Sequence, residues 1–138
     1  MGFLIDSTVF IFAEKNRLPP DRLVAAIGER FGDVELALSV MSAGELLHGC
    51  WRADTPARRA RRDDFVEAVL GAVPVLPVTL SIMRLCAGID ARLSPKGEKL
   101  PVSDLVIGCT ALAGGHGVVT GNPRHFDRIP GLVVKRFP

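Results

Sequence analysis

The sequence predicts an α/β fold: a single domain with a five-stranded parallel sheet flanked by helices on both faces. Three observations carry that expectation. Short, wholly apolar runs of strand length recur along the chain, and a strand buried on both faces needs such runs. Helical stripes separate them, and strands alternating with helices favour parallel crossovers. The 138 residues, 48% of them hydrophobic, are enough for one core and show no internal repeat.

Phe3-Leu4-Ile5 is the first apolar run. Asp6-Ser7-Thr8 follows with side chains suited to capping a helix that carries Val9, Phe10, Phe12 and Ala13. Pro19-Pro20-Asp21 ends that helix and opens another, on which Val24, Ile27 and Phe31 form a stripe. Val34 to Val40 reads as the second strand, and Ser42 to Trp51 as a helix. Thr55-Pro56 starts the next helix, with proline at the favoured first position. Val73 to Val78 is the third strand, held to a sheet edge by Pro74 and Pro77. Thr79 caps a helix to about Leu93, a polar loop follows, and Pro101 to Ala113 is an apolar helix closed by Gly114-Gly115. Val118 to Thr120 is the fourth strand, Pro123 to Asp127 a helical turn, and Leu132 to Val134 the fifth strand.

Several classes are excluded by composition. The longest apolar stretch, Ala68 to Leu80, is 13 residues and is broken by Gly71, Pro74 and Pro77, whereas a spanning helix needs about 20. Asp6 interrupts the N-terminal apolar run, so no signal peptide is expected. Cys50, Cys86 and Cys109 are odd in number and widely spaced, which argues against a zinc cluster or a disulfide framework. Buried reduced thiols, and hence the cytoplasm, are the default expectation. The formal net charge of +2 does not by itself indicate a nucleic-acid partner.

Polar residues at strand ends are the candidates for chemistry, because open parallel sheets bind ligands outside the carboxyl ends of their strands. Asp6 follows the first strand, Glu45 the second, Asp104 begins the helix before the fourth, and Thr120 to Asn122 follow the fourth. Each has a plain structural reading. Asp6 can be an N-cap, Ser42 and Glu45 fit the S-x-x-E capping box, and Asp104 complements a helix dipole. Carboxylates drawn to one place repel unless a cation neutralises them, and an oxygen-only set favours Mg²⁺ or Mn²⁺ over zinc.

Taken together, the motifs resemble the PIN-domain ribonucleases, and within them the VapC-like toxins of toxin–antitoxin systems. Phe3-Leu-Ile-Asp-Ser-Thr-Val-Phe is similar to the family's opening strand and first acid, and Ser42-Ala-Gly-Glu-Leu-Leu-His-Gly to its second-acid helix. Val102-Ser-Asp-Leu-Val-Ile-Gly-Cys-Thr-Ala resembles the third-acid helix, and Val118 to Leu132 the C-terminal signature. The resemblance spans residues 1–138 as one PIN-like nuclease domain. It implies metal-dependent RNA cleavage, a VapB-like antitoxin partner and a homodimer. It assigns Asp6, Glu45, Asp104 and Asn122 to the catalytic site, with Asp6 and Asp104 as direct ligands of Mg²⁺ or Mn²⁺. Ser7, Thr8 and Thr120 become polar supports. The fourth position departs from the family, since Asn122 carries no charge and His125 stands where an acid is frequent. Asp127 is a nearby alternative acid, ranked below Asn122.

Basic residues are unevenly spread. Arg52 to Arg62 holds five arginines against Asp54, a local balance of +4. Arg58 and Arg62 share a helix face and, with Arg124, are candidates for RNA backbone contact; exposed ion pairing with Asp63, Asp64 and Glu67 is the alternative. His48 reads as structural or interfacial. Trp51, beside Leu46, Leu47 and Cys50, reads first as a core residue and second as a partner surface. Two competing functions remain at this point: an inert or weak PIN-like module that binds RNA or antitoxin without cutting, and an aspartate-nucleophile phosphatase. The latter normally needs an acid two residues after the nucleophile, where this chain has Thr8.

Overall fold

The computed structural model describes all 138 residues. The chain runs β1 (Phe3–Ile5), α1 (Ser7–Lys15), α2 (Pro20–Phe31), β2 (Leu36–Ser39), α3 (Val40–Trp51), α4 (Pro56–Ala72) and β3 (Val75–Leu76). It continues through α5 (Leu80–Leu93), a 3₁₀ turn at Ser94–Lys96, α6 (Val102–Ala113), β4 (Gly117–Thr120), α7 (Pro123–Phe126) and β5 (Val134–Arg136). The five strands form one parallel sheet in the order β3-β2-β1-β4-β5. Chain order reverses direction at β1, so a crevice opens between the carboxyl ends of β1 and β4.

The pleat of β1 separates two cores. Phe3 and Ile5 join Val9, Phe10, Leu23, Ile27, Leu46, Val66 and Val69 on one face. Leu4 joins Ile82, Cys86, Ile89, Val106, Ile107 and Phe126 on the other. Burying each such aliphatic or aromatic side chain contributes about 1.5–3 kcal/mol, which is why β1 is apolar at every position. All three cysteines are free and buried, as the apolar surroundings of the thiols suggest.

Several local expectations are corrected. The helix α3 starts at Val40, because the Ser39 side chain accepts a hydrogen bond from Met41 N at 3.1 Å and caps it there. Ser42 therefore lies inside the helix, and the Ser42–Glu45 capping box does not form. The strand β2 shortens accordingly to Leu36–Ser39. Strand β3 shrinks to Val75–Leu76, because a paired strand cannot extend through the flanking prolines; the edge position holds.

Strand β5 is Val134–Arg136, later than the apolar run Leu132 to Val134. Gly131, at φ +80°, turns the chain, and Leu132 packs into the second core before pairing begins. Edge strands tolerate charged residues such as Lys135 and Arg136, so the apolar run was a poor guide to the ladder. Finally, Trp51 is not a core residue. It is 71% exposed at the end of α3, with the Arg59 guanidinium stacked 3.8 Å from its ring centre. The helix turns Leu46 and Cys50 inward and leaves Leu47 and Trp51 outside.

Candidate active site

Asp6 is the last residue before α1 and is 3% exposed. Its side chain makes no helix-capping bond, which removes the simple N-cap reading. Instead Oδ2 accepts hydrogen bonds from Thr8 Oγ1 at 2.7 Å and Thr120 Oγ1 at 2.8 Å. Those hydroxyl oxygens in turn accept from the backbone: Gly121 N donates to Thr8 Oγ1 and Asn122 N to Thr120 Oγ1, each at 3.0 Å. The network locks the end of β1 to the end of β4. No lysine, arginine or histidine lies within ion-pair distance of Asp6; the ion pairs of the chain are Arg58–Asp54 and Arg62–Glu14, and the other close acid–base contact is His125 with Asp104. A buried carboxylate held only by neutral hydroxyls lacks a counter-charge.

Glu45, in the second turn of α3, accepts a hydrogen bond from Ser7 Oγ at 3.2 Å. Partial burial pushes its carboxyl above the ordinary range, and the nearby negative charges of Asp6 and Asp104 push in the same direction. The Ser7 and Ser103 hydroxyls oppose this by favouring the ionised form. The Ser103 hydroxyl is nonetheless buried without a well-formed hydrogen bond, as is that of Ser42 one turn before Glu45. Asp104, in the first turn of α6, is bonded through Oδ2 to His125 Nδ1 at 2.7 Å. Thus β1, α3 and α6 bring the three predicted acids into one electrostatic neighbourhood at the switch point.

The acids do not close into a cage: no three carboxylate, imidazole or thiol groups surround a common point. Each acid is instead held by its own partner, Asp6 by two threonines, Glu45 by Ser7 and Asp104 by His125. The donor set still fits a divalent ion. It consists of hard carboxylate oxygens, Asp6 is buried without a cation, and buried hydroxyls flank Glu45. A cation placed among these groups would relieve the repulsion from Asp6 and Asp104 that adds to the effect of burial on Glu45.

The sequence pattern of the PIN domain family matches residues 3–132. The chain belongs to the PIN domain family. It is similar to the tRNA(fMet)-specific endonuclease VapC of Salmonella typhimurium, with 30% identity over 137 residues, covering 98% of this chain and 97% of that protein. Ribonuclease VapC4 of Mycobacterium tuberculosis is 30% identical over 117 residues, covering 85% and 83% of the two chains. Among solved structures, DNA-bound VapBC from Salmonella typhimurium superposes with a TM-score of 0.82 at 26% identity, over 99% of this chain and 98% of that one. A chain of VapBC2 from Rickettsia felis, bound to a promoter DNA fragment, matches at 0.86 and 19% identity over the whole of both chains, which shows the shared fold.

The remaining candidates of this PIN domain are placed as follows. Asn122 precedes α7, is exposed, and makes no side-chain hydrogen bond to cap it. Asp127 is also exposed, at the far end of α7. Arg124 is exposed on α7, without an ion-pair partner and next to His125. Arg58 is paired with Asp54 at 2.8 Å on the surface. Arg62 is a staple: its guanidinium reaches Glu14 at 3.2 Å and Gly49 O at 3.1 Å, joining α4 to α1 and α3. The expected pairings with Asp63, Asp64 and Glu67 are not the ones formed.

A groove of about 490 Å³ runs from Ser7 and Glu45 past His48 to Lys15, Arg52 and Arg62. A larger cleft of about 890 Å³ lies farther from the acids, against α4 and the α1–α2 turn. Sequence reasoning left His125 and Ser103 out of the site. Their only signal was adjacency, since Ser103 precedes Asp104 and His125 lies one helical turn beyond Asn122.

Proposed function

We propose that this PIN domain is an endoribonuclease toxin that hydrolyses RNA phosphodiester bonds with Mg²⁺ or Mn²⁺ and is neutralised by a VapB-like antitoxin. The observation that carries the reading is Asp6: a buried, uncompensated carboxylate at the switch point, faced by Glu45 and Asp104. Relatives named as ribonucleases and fold neighbours solved as VapBC complexes support the same class. A homodimer acting in the cytoplasm completes the proposal, and no helix is long and apolar enough to cross a membrane.

In this reading Asp6 and Asp104 would hold the ion, which would supply Lewis-acid chemistry: polarisation of a phosphoryl oxygen and a lowered pKa of water. The chain's own groups divide the remaining work. Thr8 and Thr120 fix the Asp6 carboxylate through Oδ2, and Ser7 fixes Glu45. Glu45, with its raised proton affinity and an open face, is placed to accept a proton from the attacking water. Asn122 offers an amide oxygen to the ion or to its water, without adding charge. Arg124, with Arg58 and Arg62 at the groove and cleft beyond Glu45, supplies positive charge for the RNA backbone.

The neutral Asn122 favours one competing reading, a domain that binds RNA or antitoxin without cutting. Asp104→Asn separates the two. With Mg²⁺ or Mn²⁺ the wild type is expected to cleave RNA and the variant to lose at least about a hundredfold of that rate, the loss of one transition-state contact worth about 3 kcal/mol. Equal and negligible cleavage by both proteins would favour the inert module.

A further inference from the structure

His125 is a polar residue of this site that no part of the proposed reaction uses. It lies in α7, whose Phe126 is buried and whose following Ile129 is 2% exposed against α6. Its Nδ1 stands 2.7 Å from Asp104 Oδ2, with both side chains part-buried. A carboxylate only accepts hydrogen bonds, so Nδ1 must carry the proton in this contact, whatever the state of Nε2. Oδ1 of Asp104 receives no hydrogen bond from the protein.

The chain thus has an imidazole bonded to its third acid, in the segment where a fourth carboxylate would otherwise add charge. A donor in that place does two things that an acid cannot. It fixes the rotamer of Asp104 by occupying one oxygen, and it leaves the acidic set at three formal charges. Groups that orient a metal-binding carboxylate through a hydrogen bond typically alter metal affinity by roughly 10–100-fold when removed.

We propose that His125 is the positioning residue of the metal site: through Nδ1–H it holds Asp104 Oδ2, presents Oδ1 to the cation, and restricts the free protein to one tightly bound divalent ion. The inference rests on the metal-site reading above, but it concerns ion binding rather than cleavage.

The geometry of the donor supplies the test. The amide nitrogen of asparagine sits near the place of imidazole Nδ1, and that of glutamine near Nε2. Mn²⁺ is titrated calorimetrically into the full chain, stripped of metal and without RNA, as wild type, His125→Asn, His125→Gln and His125→Asp. Melting curves in EDTA report whether each variant folds.

Wild type is expected to bind one Mn²⁺ tightly, His125→Asn to stay within about threefold, and His125→Gln to weaken at least tenfold. His125→Asp, which adds the fourth carboxylate, is expected to gain a second equivalent. Equal affinity of the asparagine and glutamine variants overturns the positioning role, because packing alone would then account for the residue. Two tight ions on wild type overturn the single-ion restriction. No binding by wild type overturns the whole inference, whereas the Asp104→Asn cleavage comparison reports separately on the ribonuclease reading.

Discussion

Asp6 shows how a residue too polar for its place becomes tolerable. Its carboxylate is buried at the end of a central strand, and two threonine hydroxyls donate the hydrogen bonds that the backbone does not. Thr120 is fully buried, so Thr120→Val changes little in shape while removing one donor to Asp6 and the acceptor for Asn122 N. The expected loss is about 1–3 kcal/mol, the range for a buried polar group left unpaired, read as a lower midpoint in urea or heat. An unchanged midpoint would show that Thr8 alone holds the carboxylate.

Glu45 gives a pH prediction of definite sign. Its folded-state pKa is raised above its ordinary value of 4.5, first by burial and then by Asp6 and Asp104. The folded protein therefore binds this proton more tightly than the unfolded chain. The stabilisation is present below about pH 4.5 and is lost as the pH rises through the raised value. Glu45→Gln keeps an acceptor for Ser7 and cannot ionise. Melting the two proteins in EDTA across pH 4 to 8 should show the wild type falling behind the variant as pH rises, by less than about 1 kcal/mol, because the carboxylate has an open face. A gap that narrows with rising pH would reverse the assignment. The acids themselves were legible because a carboxylate beside an apolar strand end needs a reason. His125 was not, because its role depends on a contact across 21 residues that no local pattern encodes.

At the scale of elements, the apolar runs that must be buried on both faces were legible, and those at edges were not. β1 and β4 fall where the sequence predicts them; β5 does not, because an edge strand is defined by its ladder rather than by a hydrophobic pattern. The start of α3 was misread for a related reason: Ser39 and Ser42 both suit a cap, and only the end of β2 decides between them.

The α6–α7 contact carries a prediction of its own. A Cβ on Gly108 would collide with Ile129 Cδ1, whereas one on Gly88, inside α5, would meet nothing within 4 Å. Gly88→Ala should stabilise the protein by about 0.5–1 kcal/mol, the helix-propensity gain. Gly108→Ala should lose about 1–3 kcal/mol from overpacking and, because α7 carries His125, should also weaken Mn²⁺ binding. Denaturation midpoints with parallel Mn²⁺ titrations check both effects. A Gly108→Ala protein as stable as the wild type would mean that Ile129 simply rotates away.

Over the whole molecule, a formal charge of +2 conceals a separation: carboxylates gather at the sheet's switch point while arginines crowd Arg52 to Arg62 and the C-terminal segment. The total was legible from composition, but which arginines remain available to an anionic strand depends on their folded partners. Arg62 is engaged by Glu14 and Gly49 O, and Arg58 is neutralised by Asp54 on the same turn of surface. Arg124 has no such partner and stands beside His125 at the rim of the acidic site. RNA binding that uses these charges releases counterions, so its affinity should fall linearly with salt on logarithmic axes. Measured by fluorescence anisotropy on the Asp104→Asn background, which keeps RNA intact, Arg124→Ala should reduce the slope by about 0.7 for a single-stranded target. The reduction should appear for every sequence tested, because a phosphate contact carries no base preference. Arg58→Ala should change the slope less, since removing it also frees Asp54. A slope that responds to Arg58 but not to Arg124 would move the RNA path away from α7 and onto α4.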